Sequence, residues 1–466
     1  MNNFITTIGI EVHTELNTKT KMFSSSYVNS YDEVNTNINE IDLGLPGSMP
    51  TPNKEAVVKA IKLAKALNMK VDSLLRFDRK NYFYQDLPKG YQLTQQYFPI
   101  GKDGKILDVN IERIHLEEDT AKQQIVDNKL CLDYNRCGVP LIEIVSKPDI
   151  HSSQQALRYL NELKRILIFL NISDGKMEDG SFRADINISV APIGAKTLGT
   201  RAEIKNLNSF LAIEKAIDYE FNRQVRCLLK GEVLQQETRR WDDVKNQTIF
   251  MREKSDNIDY HFFREPNIVE IDINTLVKQT NINQNQLPIN IKNNLISLGL
   301  KEQTVETLLD NFEMYKVFSY INEKVNKPQI VATWIINELG GLLKNDNKSY
   351  KDLSNDKLNL FIEMIQTLIN QKINGKQAKT IFEKIYLENK STKQLIKELG
   401  FIQITDENLI KDYLQKYVDA NKNMLEQYDQ RPERVEKFFI GLLMRDTKGQ
   451  ANPNIAIKIL KSLMNK

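Results

Sequence analysis

The stretch from Ile8 to Leu16 alternates apolar and polar residues, which is typical of a β-strand with one buried face. Side chains two positions apart line the same face of a strand, so Glu11, His13 and Glu15 point together. Two carboxylates and an imidazole supply about half of the ligands that a hard divalent cation needs. The alternative is an ordinary antiparallel strand with a solvated outer face, and this stretch alone does not decide between the two.

Later segments repeat the polar stripe. The acidic run Glu117-Glu118-Asp119 presents carboxylates on both faces of any strand. Glu143 lies in an apolar, β-branched run, where a carboxylate is usually paired, metal-bound or functional. Two further alternating segments carry Asp185, Asn187 and Ser189, and Arg201, Glu203 and Lys205. Acid, amide and cation together fit a metal ion with phosphate better than a plain solvated surface.

These stripes require a sheet to position them. We predict an α+β fold, with a mixed, largely antiparallel sheet whose one face is covered by helices and whose other face is an open, polar cradle. Asn53, Ser152 and Ser209 are predicted helix N-caps, with Gln155 completing a capping box at Ser152. A hairpin turn is predicted at Asp103-Gly104.

The chain has 466 residues, of which 41% are hydrophobic and 27% charged, as expected of a soluble globular protein with roughly three domains. The composition changes near Leu287-Pro288. After this point apolar residues recur at helical spacing and proline is rare. A softer change falls near Gly400. We therefore expect a catalytic cradle domain over residues 1–286, a helical domain over 287–400 and a small helical tail domain over 401–466.

Composition also excludes several classes of function. No apolar run reaches the ~18 residues of a membrane span, and no secretory signal is evident, so we expect a cytoplasmic protein without a membrane partner. Three cysteines give neither a disulfide framework nor C-x-x-C spacing, and a net charge of +3 does not by itself indicate nucleic acid. P-loop, dinucleotide-binding, G-x-S-x-G and H-E-x-x-H motifs are absent. The possibility that remains is a Mg²⁺ ion bound by carboxylates and surrounded by Arg and Lys, an arrangement that suits phosphoryl transfer.

Long motifs give a resemblance to a known family. These are IGIEVHTEL, LGLPGSMP, FDRKNYFYQDLPKGYQ, HLEED, DYNRCGVPLIEIVSKPDI, MEDGSFRADINISV, EIKNLNSF, QETRRWDD and GLLMRDTKGQANP. In this order they closely resemble the GatB/GatE family, which contains the B subunits of the aspartyl/glutamyl-tRNA(Asn/Gln) amidotransferases. The resemblance covers essentially the whole chain.

The resemblance implies a function in protein biosynthesis. Such a B subunit works in a heterotrimer with the amidase, which is the A subunit, and with a small C subunit. It uses ATP and Mg²⁺ to phosphorylate the side-chain carboxylate of misacylated Glu-tRNA(Gln) or Asp-tRNA(Asn). Ammonia that the amidase releases from glutamine then displaces phosphate, so the complex is an ATP-dependent ligase. The alternative is a catalytically decayed protein that serves the same complex as a tRNA-binding scaffold.

The resemblance also implies the site residues. The metal ligands, which are also the catalytic residues, map onto Glu11, His13, Glu118 and Asp185. Strand alternation alone points to Glu11, His13 and Asp185 but leaves Glu117 and Glu118 open. Glu143 is expected to be a further ligand or to support the ligands. The cations expected to bind ATP or substrate are Arg79, Lys80, Lys89, Arg136, Arg183 and Lys205.

Two further expectations concern zinc and RNA. Many family members resemble a zinc protein after the first strand, but the matching positions here are Ser24, Ser26, Asn39 and Asp42, so no zinc is expected. The YqeY-like tail is expected to contact tRNA through Arg445, Lys448 and Lys458, at a turn where Asn452 caps a helix that begins at Pro453. From the residues alone, a solvated helical face is the favoured interpretation of these cations.

Overall fold

The structure is a computed structural model that describes residues 3–29, 32–253, 260–401, 406–425, 428, 431–447 and 449–464. The chain forms two compact units, Met1–Ile291 and Lys292–Lys466. The first is built around a mixed, largely antiparallel sheet and the second is helical, so the predicted α+β class is confirmed. Apart from residues 287–291, both predicted C-terminal domains lie in the second unit, and their division at residue 400 stays a prediction.

The predicted polar stripes lie on strands of the first unit. These strands are β1 (Phe4–Glu15), β2 (Lys70–Val71), β3 (Leu74–Leu75), β4 (Asp78–Asn81), β5 (Tyr91–Thr94), β6 (Gly101–Ile106), β7 (Val109–Glu118), β8 (Lys122–Val126), β9 (Lys129–Asp133), β10 (Pro140–Ser146), β11 (Phe182–Pro192), β12 (Ala202–Lys205), β13 (Glu237–Asp242), β14 (Gln247–Glu253), β15 (Phe263–Arg264) and β16 (Ile271–Asp272).

The largest sheet in the described part of the chain has nine strands in the order β14-β13-β12-β11-β1-β10-β7-β6-β2. Its neighbours run antiparallel except for the parallel pair β12 and β13. Strands β15, β4 and β5 form a smaller sheet, β16 pairs with β3, and β8 pairs with β9. The long strand β1 lies at the centre of the large sheet, between β10 and β11.

Helices cover the apolar face of the large sheet. Ile8, Ile10 and Val12 of β1 are buried in one hydrophobic core. That core also takes residues from the helices α1 (Lys54–Ala66), α2 (Ser153–Phe169) and α3 (Phe210–Leu229), and the short α4 (Asn274–Gln279) packs at its edge. Alternation therefore leaves the other face of β1 polar and partly exposed, as the sequence predicts.

The predicted helix starts are confirmed at three places. Asn53 accepts hydrogen bonds from the amides of Glu55 and Ala56, and Ser152 and Ser209 cap α2 and α3 in the same way. The capping box at Ser152 is only half right. Gln155 Oε1 accepts from the amide of His151 rather than from Ser152, so the reciprocal bond forms one residue earlier.

The predicted hairpin forms between β6 and β7, but its turn is not at Asp103-Gly104, because these residues lie inside β6. Lys102 pairs with Arg113 and Gly104 with Ile111, and Asp103 lies between them with a φ of 54° and no shift in the register of the two strands. The chain reverses instead between Ile106 and Val109. Gly104 is required for packing here, since a Cβ would lie 2.5 Å from the Met69 side chain.

The second unit consists of helices in its described part. They are α5 (Pro288–Ser297), which begins at the end of the first unit, α6 (Glu302–Leu309), α7 (Phe312–Val325), α8 (Pro328–Thr333), a π-helical turn (Trp334–Leu339), α9 (Gly340–Asn345), a 3₁₀ turn (Tyr350–Asp352), α10 (Asn355–Ile369), α11 (Gly375–Glu388), α12 (Thr392–Glu398), α13 (Glu407–Ala420), α14 (Lys422–Leu425), α15 (Pro432–Asp446) and α16 (Pro453–Met464). Asn452 caps α16 and Pro453 begins it, as predicted. None of the described helices is both long and apolar enough to cross a bilayer.

Candidate active site

Four neighbouring strands place polar side chains in a row across the sheet. His115 of β7 lies opposite Glu143 of β10, and Glu143 lies opposite His13 of β1. His13 in turn lies opposite Arg183 of β11. Strand pairing, rather than closeness in sequence, therefore assembles the site.

The first cluster consists of His13, Glu117 and Glu143, whose potential ligand atoms lie within 4.8 Å of one another. His13 Nε2 is 3.1 Å from Glu143 Oε2 and 4.0 Å from Glu117 Oε2. His115 Nε2 adds a second imidazole, 3.1 Å from Glu117 Oε1 and 3.4 Å from Glu143 Oε2. Two carboxylates and two imidazoles thus meet in a small volume.

Charge pairing fixes the protonation of the first cluster. Burial lowers the pKa of His115, but Glu143 and Glu117 outweigh burial and raise the pKa to about 9. Burial raises the pKa of Glu143, but His115 and His13 outweigh it and hold the pKa well below its usual range. The cluster therefore carries ionised carboxylates and a protonated His115 at neutral pH.

The second cluster consists of Glu11, Asp185 and Glu203, which also lie within 4.8 Å of one another. Glu11 and Asp185 are paired across β1 and β11. Lys205 Nζ lies 2.5 Å from Asp185 Oδ2 and 3.5 Å from Glu203 Oε1. Burial, followed by the charges of Glu143 and Asp185, raises the pKa of Glu11, so the two clusters are electrostatic neighbours.

Neutral side chains support the second cluster. Asn187 Nδ2 donates to Glu11 Oε1 at 3.2 Å. Thr238 Oγ1 of β13 donates to Glu203 Oε2 at 2.8 Å. Glu11 and Glu203 are therefore each held by a neighbour that adds no charge.

The four predicted metal ligands do not form one group among the clusters that the described residues show. His13 belongs to the first cluster, and Glu11 and Asp185 belong to the second. Glu118 belongs to neither: it pairs with Lys89, and its Oε1 accepts from the amide of Leu93 at 3.0 Å. The adjacent Glu117, which strand alternation left open, takes the place beside His13.

Three residues at the clusters were not among the predicted site residues: Glu117, Glu203 and His115. Glu117 and Glu203 lie in polar stripes that the sequence shows, so the signal was present. His115 lies between apolar neighbours, and only the pairing of β7 with β10 brings it to Glu143.

Most of the predicted substrate-binding cations are held by protein groups. Arg79 forms a bidentate pair with the buried Glu265, with distances of 2.6 and 3.1 Å, and its guanidinium lies over the Tyr91 ring. Lys89 pairs with Glu118. In this arrangement both residues organise the loops around the cradle.

The two arginines near the cradle behave differently. Arg136 donates to the carbonyl oxygens of Thr120 and Ala121 at 2.9 and 3.0 Å, which fixes that turn. Arg183 donates to Asp119 Oδ2 at 2.9 Å, but 39% of its side chain is exposed. Arg183 can therefore still face a ligand.

Lys80 is the predicted cation with the most freedom. Its Nζ lies 5.0 Å from the Tyr260 ring and 5.9 Å from the Tyr82 ring. Within the described part of the chain, no hydrogen bond or ion pair engages its ammonium group. Burial raises the pKa of Glu117, but His115 and Lys80 are among the groups that outweigh it, so Lys80 lies close to the first cluster.

A cavity of about 900 Å³ opens beside the second cluster. Asp185, Arg183, Arg136, Glu15 and Asn206 are among its lining residues. Burial, followed by the charge of Asp119, raises the pKa of Glu15 to about 7. The volume lies within the usual range for small-molecule sites.

The segment at the predicted zinc-like positions is organised by a carboxylate. Ser24 and Ser26 donate to Asp42 at 2.6 and 2.7 Å, and the amide of Asn39 donates at 3.0 Å. Lys21 Nζ, fully buried, lies 3.3 Å from Asp42 Oδ2. The prediction that this segment binds no zinc stays a prediction.

The predicted RNA-binding cations lie in the second unit. Arg445 is exposed and pairs with Asp446 at 3.0 Å, and Lys458 is exposed on α16. Lys448 lies outside the described residues. Arg445 and Lys458 are thus accessible to a ligand, but the described residues around them show no feature that is specific to RNA binding.

An open sheet face with two clusters of oxygen and imidazole ligands defines a domain suited to divalent cations and phosphate groups. Residues 6–279 match the GatB/GatE catalytic domain, and residues 316–464 match the GatB domain. The chain belongs to the GatB/GatE family, so the resemblance seen in its motifs is confirmed.

Similar proteins cover the chain from end to end. A protein of Malacoplasma penetrans is 50% identical over 471 residues, which span 99% of this chain and 98% of that protein. A protein of Ureaplasma urealyticum is 49% identical over 477 residues and all of both chains. One of Mesoplasma florum is 42% identical over 481 residues, or 100% and 99% of the two chains. Each is named as the B subunit of an aspartyl/glutamyl-tRNA(Asn/Gln) amidotransferase.

Proposed function

We propose that the chain is the B subunit of an aspartyl/glutamyl-tRNA(Asn/Gln) amidotransferase, an ATP-dependent ligase that acts in translation in the cytoplasm. It assembles with the amidase, or A subunit, and with a small C subunit. Its substrates are Glu-tRNA(Gln), Asp-tRNA(Asn) or both, which it amidates on the side chain of the amino acid. The observation that carries this proposal is the convergence of ligand residues from several strands on one polar sheet face, in a chain similar over its full length to proteins of that name.

The proposed reaction overcomes the low reactivity of a carboxylate. A carboxylate oxygen attacks the γ-phosphorus of ATP, which forms an acyl phosphate and releases ADP. Ammonia then forms a bond to the acyl carbon, the carbon–oxygen bond to phosphate breaks, and phosphate leaves with that electron pair. The proton that nitrogen loses passes to phosphate or to a nearby base. Because water competes with ammonia for the acyl phosphate, the cradle has to limit access of water to it.

The residues fit the expected magnesium ion. The second cluster offers three carboxylates, and Mg²⁺ prefers oxygen ligands. The first cluster mixes carboxylates with His13, a set that also accepts Mn²⁺. When bound, Mg²⁺ would neutralise charge on the phosphate oxygens.

Cations of the chain complete the phosphate site in this proposal. Lys80 lies near the first cluster without a carboxylate that engages it in the described part of the chain. Lys205 pairs with Asp185 and Glu203 through a flexible side chain and can turn toward an incoming phosphate. Arg183 faces the 900 Å³ cavity, where it can meet the substrate carboxylate. Orientation and charge neutralisation account for most catalysis in phosphoryl transfer.

The second unit is proposed to hold tRNA. Arg445, Lys448 and Lys458 would contact RNA phosphates, which positions the acceptor end without reading its sequence. Loss of one such contact weakens binding and reduces its dependence on salt.

The alternative is a tRNA-binding scaffold whose catalytic site has decayed. A decayed site loses ligand residues, but the two clusters here retain carboxylates and an imidazole in ligand range. The intact set therefore favours the catalytic proposal.

The test reconstitutes the chain with its two partner proteins, misacylated tRNA, ATP and glutamine. We expect phosphate release coupled to amidated tRNA. Glu117→Gln should lower phosphate release by about 10²–10³-fold, because it removes a charge that the reaction needs. Glu112→Gln, which alters an exposed glutamate of the same strand, is the matched control and should retain activity. A wild-type complex that binds tRNA but releases no phosphate would establish the scaffold alternative.

A further inference from the structure

His115 is a buried imidazole next to the first cluster, and its exposure is 2%. Its Nε2 lies between two carboxylates, 3.1 Å from Glu117 Oε1 and 3.4 Å from Glu143 Oε2. An ionised carboxylate only accepts hydrogen bonds, so Nε2 donates to Glu117, whereas its longer contact with Glu143 is an ion pair. Its Nδ1 is buried and has no hydrogen-bond partner among the described residues. The contacts of this ring are therefore directed at the cluster.

The two carboxylates depend on His115 to different extents. Glu117 also accepts from Thr94 Oγ1 at 2.6 Å and from Gln92 Nε2 at 3.3 Å. Glu143 takes its side-chain partners from His13 and His115, among the residues that the structure describes. Both imidazoles approach the same atom, Glu143 Oε2.

A cation would change this balance. If His13 gives Nε2 to a divalent ion, that nitrogen no longer donates to Glu143. His115 then remains as the imidazole whose Nε2 holds the Glu143 carboxylate. Groups behind metal ligands commonly set ligand orientation and affinity in this way.

We propose that His115 is a positioning residue, whose Nε2 holds Glu117 and Glu143 in the orientation in which they and His13 bind a divalent cation. The inference rests on the proposed function, because that function requires a cation in the cradle. His115 itself does not contact the ion or the substrate. Its contribution is the orientation of two carboxylates that come from different strands.

The test measures Mn²⁺ binding by the full chain, without ATP or tRNA, from the paramagnetic resonance signal of free Mn²⁺. His115→Met keeps the bulk of the side chain and removes the donor, so its affinity should fall by about 10–100-fold. The Mn²⁺ affinity of His115→Asn should fall by a similar factor, because the shorter side chain places its amide at the Nδ1 position and not at the Nε2 position. His115→Gln places an amide near Nε2 and should recover most of the affinity. His151→Met is the matched control, since the Nδ1 of that histidine donates to the Thr6 carbonyl oxygen, outside both clusters.

The outcomes separate this inference from the proposed function. If wild type binds no Mn²⁺, the cation site and this inference both fail. If wild type binds Mn²⁺ and His115→Met binds it equally well, only the inference fails. Equal losses in His115→Gln and His115→Met would also overturn it, because donation from the Nε2 position would then not matter. Circular dichroism checks folding, and if His115→Met does not fold, the comparison of His115→Gln with His115→Asn decides.

Discussion

The two acidic clusters lie side by side on one sheet face, but their charges are balanced in different ways. In the first, two imidazoles and the Thr94 hydroxyl hold Glu117 and Glu143 in place, and the exposed fraction of each carboxylate side chain is 12% or less. In the second, a lysine balances the carboxylates, and 36% of the Lys205 side chain is exposed. The carboxylates of the first cluster are thus held by several contacts that leave little of them exposed, whereas those of the second are balanced by a lysine that is partly exposed.

This difference suggests a division of labour. Stiff, buried partners keep carboxylates oriented before a ligand arrives, which lowers the reorganisation that binding requires. A lysine on a flexible four-carbon side chain can leave its carboxylates when a stronger cation displaces it, and it then carries its charge to a phosphate. We therefore expect substitutions in the first cluster to abolish function. Substitution of Lys205 should instead lower phosphate release and raise the affinity for a divalent cation.

The largest effect is expected for Glu143→Gln. This change removes the carboxylate that both imidazoles share, so it should lower phosphate release by about 10³-fold. Phosphate release and tRNA binding are measured in parallel in the reconstituted complex. The control Glu112→Gln should match wild type in both. A loss of less than about 10²-fold, the lower end of what one such group contributes, would contradict the view that the first cluster is the preorganised centre of the site.

Lys205→Met should act in two directions. Phosphate release should fall by about 10–100-fold, because a cation near the phosphate is lost. Mn²⁺ affinity should rise at the same time, since the competitor for Asp185 and Glu203 is gone. Calorimetry measures the affinity, and Lys196→Met, at an exposed position after β11, is the control. If both quantities fall together, Lys205 supports the carboxylates instead of competing for them.

The sequence predicts strand β1 and its polar face correctly, but it does not predict that the polar residues divide into two clusters. Alternation along β1 correctly puts Glu11, His13 and Glu15 on one face, because the period of a strand is a local property. Pairing is not local: His13 and Glu143 meet across 130 residues of chain. The division into two clusters depends on β10 lying between β7 and β1, and no local pattern encodes that order.

The cations show the same limit. Arg79 and Lys80 are adjacent in a motif rich in donors and aromatic rings, and the sequence treats them alike. In the fold, Arg79 is tied to Glu265, which is 186 residues away, whereas Lys80 lies between two tyrosine rings. Similarly, Asp103-Gly104 has the composition of a turn, but pairing of β6 with β7 places it inside a strand.

Lys80→Met tests whether this cation serves the first cluster. We expect the KM for ATP to rise by about tenfold, as for the loss of one charged contact of about 1.4 kcal/mol. The protein should remain folded, because no ion pair of Lys80 is broken within the described residues. Lys102→Met, at an exposed position of β6, is the control. An unchanged KM with a lower melting temperature would show that Lys80 only stabilises the surrounding aromatic residues.

The smallest effect is expected in the protons that metal binding releases. Burial lowers the pKa of His13, but Glu143 and Glu117 outweigh burial and raise it, so at pH near or below this raised pKa His13 carries a proton that an ion must displace. Affinity at the first cluster should therefore increase as pH rises and level off above that pKa. The pKa of Glu11 is also raised, but from the lower starting value of 4.5, so binding at the second cluster should level off at lower pH.

Variants isolate the two clusters for this measurement. Asp185→Asn disrupts the second cluster and keeps the first intact, whereas Glu143→Gln disrupts the first and keeps the second intact. Calorimetry of Mn²⁺ binding at about pH 7 in two buffers of different ionisation enthalpy then counts the protons released. Asp185→Asn should release up to about one proton per ion, because the imidazole must be neutral to bind, and Glu143→Gln should release fewer. Equal release from both would mean that the histidine does not bind the ion, and the contrast between an imidazole cluster and a carboxylate cluster would then lose its chemical basis.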